Sequence, residues 1–362
     1  MMFRVVCILL IVALVNAFSI ISNRNHVSSL YMKDVLLIGG TRFSGLYLWR
    51  QLHKDGHKVT IFNRGKTSIK KIPVETDAEF EKRKADAIYV KGDRTKPEDL
   101  NQLSSMKFDV IYDMNGREAT DTAPLADMFN GKVEHFVYMS SAGVYKKSLT
   151  MPHIEGDNED VKSRHKGKLE TEAYLKKIGI PFTSIRPTYI YGPMNYNPIE
   201  EYFFERIAEG RPVCIPGHGQ HLTGLGHVED LASAMAKVIG KKAAIGQIYN
   251  VQDIQSVTFE GLAKLCGEAM GKETEIKLYK AKDFDFGEKK AFPMREQHFF
   301  CSVEKAMKDL DWKPKYNMID GLKDSYVKDF QVKQKDGKLK KDFECDDKVI
   351  KDDRISVIMG KV

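Results

Sequence analysis

VLLIGGTRFSG, residues 35–45, runs from an apolar β-segment into a turn of glycines. Val35-Leu36-Leu37-Ile38 stops at Gly39-Gly40. A third glycine, Gly45, stands where an amphipathic helix carrying Leu46, Leu48, Trp49 and Leu52 begins. Strand, glycine turn and helix in that order leave free backbone N–H groups at the positive end of the helix, which suits a phosphate. Arg42 interrupts the glycines. Its side chain takes room that a pyrophosphate would use, yet offers a fork of donors to phosphate.

Working outward, Val59-Thr60-Ile61-Phe62, Ile88-Tyr89-Val90, Val110-Ile111-Tyr112, Phe136-Val137-Tyr138 and Phe182–Arg186 read as further strands. Helical segments such as 97–105 and 120–129 lie between them. The alternation predicts an α/β fold, a Rossmann-type doubly wound parallel sheet with right-handed crossovers. Residues 64–86 mix charges of both signs and read as an inserted surface excursion. Beyond Pro187 the loop motifs Tyr191-Gly192-Pro193 and 216–219 precede a helix at 228–239, a strand at 248–251 and a helix at 259–270. The expected organisation is a presequence (1–32), a Rossmann core (33–186, completed by parts of 220–251) and a smaller interleaved C-terminal domain (187–330). A charged, solvated tail (331–362) would follow. The cleft between the domains would sit over the C-terminal strand ends.

Arg4, the apolar run Val5–Val15 and the small-residue site Val15-Asn16-Ala17 have the layout of a signal peptide. The run is too short for a confident membrane span. Residues 18–32 hold four serines and no acid, the first acid being Asp34. Signal peptide, Ala17-Phe18 and an acid-free serine-rich stretch resemble the two-part presequences of algae with secondary plastids, which implies delivery to the plastid stroma. Plain secretion is the alternative. The five cysteines (7, 214, 266, 301, 345) are odd in number, widely spaced and without a C-x-x-C, so the four beyond the leader read as buried thiols in a reducing compartment. Removing the leader takes Arg4 and Arg24 with it and lowers the formal charge from +7 to +5. That mild basicity permits a polyanionic partner without requiring one.

Together these landmarks resemble the extended short-chain dehydrogenase/reductase superfamily of nucleotide-sugar epimerases and dehydratases. Gly39–Gly45 matches its glycine turn, Gly92-Asp93-Arg94 its adenine-side pair, and Ser140-Ser141-Ala142-Gly143-Val144-Tyr145 its serine strand. Lys168-Leu169-Glu170 matches its lysine helix, and Tyr191-Gly192-Pro193 and Trp312-Lys313-Pro314 its later loops. From Asp34 to Phe330 a narrower run of motifs, including FNRGK, NGREA, SRHKGKLETE, SIRPTYIYGPMNYNP and REQHFF, is similar to the chloroplast stem-loop-binding proteins of 41 kDa, b type. That resemblance implies a plastid RNA-binding protein with stem-loop endoribonuclease activity in relatives, aided by a divalent metal. It also implies homo- or hetero-oligomers, and no membrane association in the mature form.

In the superfamily the acid/base tyrosine lies four residues before the lysine, and here that position is Arg164. A guanidinium stays protonated and cannot shuttle the proton, which argues against carbonyl redox chemistry. The tyrosine could instead lie elsewhere, at Tyr145 or Tyr174. With Arg164 at the tyrosine position, Ser141 and Lys168 read as vestigial equivalents of the superfamily's catalytic serine and lysine, with Arg164 and His165 beside them. Lys162, Arg164, Lys166 and Lys168 crowd one segment, with Ser163 as its expected N-cap and Arg164 and Lys168 expected on one helix face. With Arg42 and Arg64 these four are the candidate RNA contacts; a solvated basic face is the plainer reading. Gly39, Gly40, Thr41, Arg42, Phe43, Gly45, Asn63, Arg64 and Asp93 are the candidate cofactor residues. Asn63-Arg64 in place of an acid at the end of the second strand favours NADP(H) over NAD. Asp113 reads as a turn cap before a metal ligand. His218, His221 and His227 lack the directed spacing of a zinc site. Tyr189, Tyr191, Tyr196, Tyr202 and Phe203 pack the cleft or stack on bases. Three functions compete: an RNA-binding protein on a retired dehydrogenase frame, an NADP-dependent nucleotide-sugar epimerase or reductase, and a non-catalytic redox-responsive scaffold.

Overall fold

The computed structural model describes residues 32–352 and the strand Val357–Gly360; the expected presequence, with Cys7, lies outside the described residues apart from Met32. β1 (Asp34–Ile38), β2 (Lys58–Asn63), β3 (Ile88–Lys91), β4 (Val110–Asp113), β5 (His135–Met139) and β6 (Phe182–Pro187) join the strand Gln247–Val251 in one sheet. The order is Gln247–Val251, β6, β5, β4, β1, β2, β3, and every neighbouring pair is parallel. β4, β5 and β6 are buried along their whole length, and the polar residues within them, Asp113, His135, Thr183, Ser184 and Arg186, are buried with them. The order switches at β1, between β2 and β4, the place where open sheets of this kind present a crevice above the strand ends.

Helix Ser44–Lys54 buries Leu46, Leu48, Trp49 and Leu52 and packs against helix Val228–Ala236. The Tyr112 hydroxyl donates to the Met235 carbonyl at 2.9 Å, fastening that later helix to the first domain. The excursion at 64–86 is docked. Ile72 is fully buried, and helix Asp77–Ala85 starts from a capping box of Thr76 and Glu79. Arg83 donates to both oxygens of Glu75 at 2.5 and 2.7 Å and stacks on Trp49 at 4.0 Å. The mixed charges concealed one buried ion pair.

The smaller domain gathers Phe203, Phe204, Phe259, Leu262, Phe292 and Leu322 into a second core. Its strands Val213–Pro216 and Thr274–Tyr279 pair in parallel, and Val357–Gly360 adds antiparallel to the latter. The expectation of a solvated tail after Gln331 is therefore corrected. Helix Glu344–Ile350 buries Asp346 and Val349, Arg206 donates to Asp346 at 2.7 Å, and Arg211 pairs with Asp347. The partners are 140 and 136 residues away, so the local charge pattern does not disclose them. Among the described residues Cys214, Cys266 and Cys301 are buried free thiols, while Cys345 is half-buried. No helix among the described residues is long and apolar enough to cross a membrane.

Candidate functional site

The glycine turn lies at the switch point. Gly39 has φ +86°, and a Cβ on Gly45 would stand 2.5 Å from the Gly39 carbonyl oxygen, so the helix seats directly on the turn. Phe43 caps the helix with φ +36°, a strained backbone for a non-glycine, and its ring is buried. The N–H groups of Thr41, Arg42 and Phe43 have no partner among the described residues. Asn63 braces the turn from the end of β2. Its Nδ2 donates to Thr41 Oγ1 at 3.4 Å, and its Oδ1 accepts from the Gly65 N–H at 2.7 Å. Arg42 and Arg64 are exposed, and neither forms an ion pair among the described residues. Arg42 lies over the Tyr196 ring, 4.3 Å from its centroid. Asp93 is fixed by the Thr95 N–H and hydroxyl, which hold its carboxyl below the usual range, with Arg64 and Lys66 adding.

At the exit of β4, Asp113 is fully buried and accepts two bonds of 2.6 Å from Arg94, one of 2.7 Å from Thr122 and one of 2.9 Å from the Gly116 N–H. Burial works against its charge, but Arg94 and these donors prevail and hold it at about 2. All of its capacity is spent on the chain itself. Arg94 also donates to Asn115 Oδ1 at 2.7 Å, and the Asn115 side chain lies 3.1 Å from where a Gly39 Cβ would be.

Helix Lys166–Ile178 carries Lys168, whose Nζ donates to the carbonyls of Gly116 and Met139, both at 2.6 Å, beneath the Tyr138 ring. Burial lowers its pKa to about 8. Two sequence expectations are corrected here. Arg164 precedes the helix, so it does not share a helical face with Lys168. The N-cap is His165, without a side-chain bond; Ser163 instead donates to the Gly143 carbonyl at 2.8 Å and accepts from the His165 N–H. The Ser141 hydroxyl accepts from the Gly143 N–H at 3.0 Å. Neither alternative tyrosine reaches this place: Tyr145 is buried and donates to Asn250, and Tyr174 donates to Asp127.

Arg164, His165 and Arg295 converge around Gly143. Arg164 Nε donates to His165 Nε2 at 3.1 Å. Arg295 donates to the Gly143 carbonyl at 3.2 Å, and its backbone N–H donates to the Tyr189 hydroxyl at 3.1 Å. A Cβ on Gly143 would meet His165 at 2.6 Å and Arg295 at 3.1 Å, so only glycine leaves room for both. Burial pushes His165 down to about 4, with Arg164, Arg295 and Lys168 adding. Arg295 and Lys290 are lowered too, by burial first and then by Arg164. None of Arg164, Arg295, Lys290, Lys162 and Lys166 forms an ion pair among the described residues, although Glu118 lies against Gly167 in the following helix. Lys162 and Lys166 are exposed beside the cluster. Neither Arg295 nor Lys290 is visible as a site residue in sequence; the loop that carries them meets Gly143 only through the tertiary fold.

His218, His221 and His298 approach one another, with ring centroids 4.4 and 5.3 Å apart, whereas His227 is buried beside Asp324 at 3.4 Å. Among the described residues no group of three His, Cys, Asp or Glu side chains is placed to hold a metal ion. Tyr191 and Phe203 are core residues, Tyr189 and Tyr202 are half-buried, and Tyr196 is exposed.

The family model described as the NAD dependent epimerase/dehydratase family matches residues 35–251. The chloroplast stem-loop binding protein of 41 kDa b from Arabidopsis thaliana is 49% identical over 330 residues, covering 90% of this chain and 86% of that protein. Among solved structures, an epimerase from Methanothermobacter thermautotrophicus superposes with a TM-score of 0.67 at 20% identity, over 85% of this chain and 96% of that one. UDP-glucose 4-epimerase from Thermotoga maritima does so with 0.67 at 19% identity, over 83% and 99%.

Proposed function

The chain belongs to the NAD dependent epimerase/dehydratase family and, within it, to the family of the chloroplast stem-loop binding protein of 41 kDa b; from that premise we propose that it is a plastid protein that binds stem-loop RNA. The observation that carries this reading is the cluster Arg164–His165–Arg295–Lys290. Cations are gathered without an ion-paired carboxylate at the place where an epimerase keeps its proton-transfer tyrosine. Cations held together in this way are stabilised by an anion among them. Arg42, Arg64, Lys162 and Lys166 extend the basic surface along the cleft. The contacts are to phosphates, so they set register, while specificity follows stem-loop shape. Lys168 is removed from the contact set named in the sequence, because its ammonium is spent on two carbonyls.

The turn retains what a dinucleotide's phosphates require: Gly39, Gly45 and the unpartnered N–H groups, with Arg42 and Arg64 beside them. It departs where hydride transfer would occur, for Arg164 replaces the tyrosine, Asn115 crowds Gly39 and Lys168 is tied up. A bound NADP(H) would supply hydride chemistry that these residues do not complete, so the dinucleotide acts as a competitor for the phosphate-binding turn.

The test is a stem-loop titration across a range of salt concentrations with wild type and with Arg164→Ala combined with Arg295→Ala. Wild-type affinity should fall steeply with salt, and the double variant should bind more weakly, with its slope reduced by about 0.7–0.9 per lost phosphate contact. An unchanged slope would remove the cluster from the RNA path.

A further inference from the structure

Tyr196 stands apart from the other aromatics of the cleft. It is 68% exposed although two side chains touch it, with Arg42 stacked at 4.3 Å and Phe43 meeting it edge-on at 6.3 Å between centroids. Its hydroxyl makes no hydrogen bond among the described residues. The loop beneath it is braced at each step. The Gly192 N–H donates to Glu200 and the Met194 N–H to Asp329, both at 3.0 Å. Asn195 Nδ2 donates to the Ile190 carbonyl at 2.9 Å, and the Asn197 N–H donates to Asn195 Oδ1 at 3.0 Å. The Tyr47 hydroxyl reaches from helix Ser44–Lys54 to the Pro193 carbonyl at 3.4 Å. A large apolar ring is therefore presented to water on a fixed loop, and the ordering cost of a stacking platform is met before any ligand arrives.

Arg42 joins this platform to the turn. Its guanidinium covers one part of the ring, and its own N–H is one of the unpartnered donors at the helix end. Phosphate donors and an aromatic face thus meet at one residue, which is the combination a single nucleotide requires. A base inside a duplex is stacked on both faces and has none to give, whereas an unpaired base can be splayed onto an aromatic ring.

We propose that Tyr196, backed by Arg42 and Phe43, stacks on an unpaired nucleobase of the bound RNA, so that the loop rather than the stem is held at the mouth of the cleft. This deepens the RNA-binding reading and rests on it. The experiment uses full-length mature protein and three probes: a stem-loop RNA with 2-aminopurine in its loop, the same stem as an uninterrupted duplex, and NADPH. Wild type should alter the loop fluorophore on binding. Tyr196→Ala should weaken stem-loop binding by about 5- to 150-fold, the worth of one base–aromatic stack. Duplex affinity should stay as in wild type, and Tyr196→Phe should retain the stem-loop affinity.

Equal stem-loop affinity for wild type and Tyr196→Ala, with binding intact, would overturn this inference alone. A variant that loses NADPH binding while keeping stem-loop affinity would place a dinucleotide's base on the ring and overturn it as well. Absence of RNA binding by wild type would overturn both readings.

Discussion

If RNA phosphate sits against Arg164 and Arg295 as proposed, the protonation of the histidine beside them must change. His165 is held at about 4, first by burial and then by Arg164, Arg295 and Lys168, against about 6.5 for an ordinary histidine. Phosphate cancels the cationic share and leaves the burial in place, so the recovery is partial: bound His165 titrates above free His165 and below an ordinary histidine. Between the free and bound values the complex holds more proton than the free protein. Binding therefore takes up a proton, and affinity rises as pH falls below the ordinary histidine range and levels off below about 4. Each unit of recovery corresponds to about tenfold in Kd at full protonation, and a recovery of one unit would show as about threefold between about pH 6 and pH 4.5 by fluorescence anisotropy at fixed salt. The direct observable is the His165 ring resonance, titrated by NMR with and without a stem-loop RNA. His165→Asn should flatten the pH dependence. A ring pKa that stays put or falls on RNA binding would refute the placement of phosphate in this cluster, because no polyanion can approach three cations without relieving their pressure on the imidazole between them.

Wild type should turn over no NADPH with any nucleotide sugar, and Arg164→Tyr should not restore it, because Lys168 already donates to two backbone carbonyls; spectrophotometric turnover by either protein would overturn the assignment of a retired site. Arg94→Leu should cost about 3–5 kcal/mol in chemical denaturation, since it strands the buried Asp113 carboxylate, and a loss below about 1 kcal/mol would show that the pair is not a structural anchor. Asp113 is depressed to about 2, so the stability this pair supplies is present above the ordinary carboxylate range near 4 and is lost as pH falls through 2. A reporter carrying residues 1–33 should enter the plastid and its Phe18→Ala form should stay outside; secretion of the unaltered fusion would refute the leader reading.

The sheet was legible because its strands are short, most are largely apolar, and β1 to β5 alternate with helices. The crevice followed from the glycine turn. What stayed hidden was the pairing of charge in the fold, across 8 residues in one case and 140 in another. Arg83 with Glu75, and Arg206 with Asp346, look like surface charge in the sequence and are buried ion pairs in the fold. The same blindness concealed half of the candidate site. Arg164 could be found by counting back from Lys168, but the motif that contains Arg295 does not mark it as a site residue, Lys290 is marked by none of the motifs quoted, and Arg295 reaches Gly143 only through the smaller domain. Lys168 shows the converse error. Its spacing suggests a phosphate ligand, and only the positions of the Gly116 and Met139 carbonyls reveal that two of its three protons already have partners.

That anchoring gives Lys168 a structural duty that does not depend on a tyrosine four residues before it. The ammonium joins helix Lys166–Ile178 to the exits of β4 and β5, with the Tyr138 face at 4.9 Å and the Asp113 charge supporting it. Its loss would take a donor from both carbonyls, leaving Gly116 with the Tyr138 hydroxyl at 3.0 Å, at a cost in buried hydrogen bonding. Arg164 carries no such duty, since it is exposed and outside the helix. Exchange at that position changes the chemistry of the cleft while the backbone beneath it stays in place. The loop bearing Arg295 then needs only the glycine at 143 to come close enough to share the carbonyl that Ser163 already holds. A frame built to position a proton donor can in this way be turned to anion binding by one substitution on its rim and one arginine from the facing domain, with the lysine kept as the fastening between them.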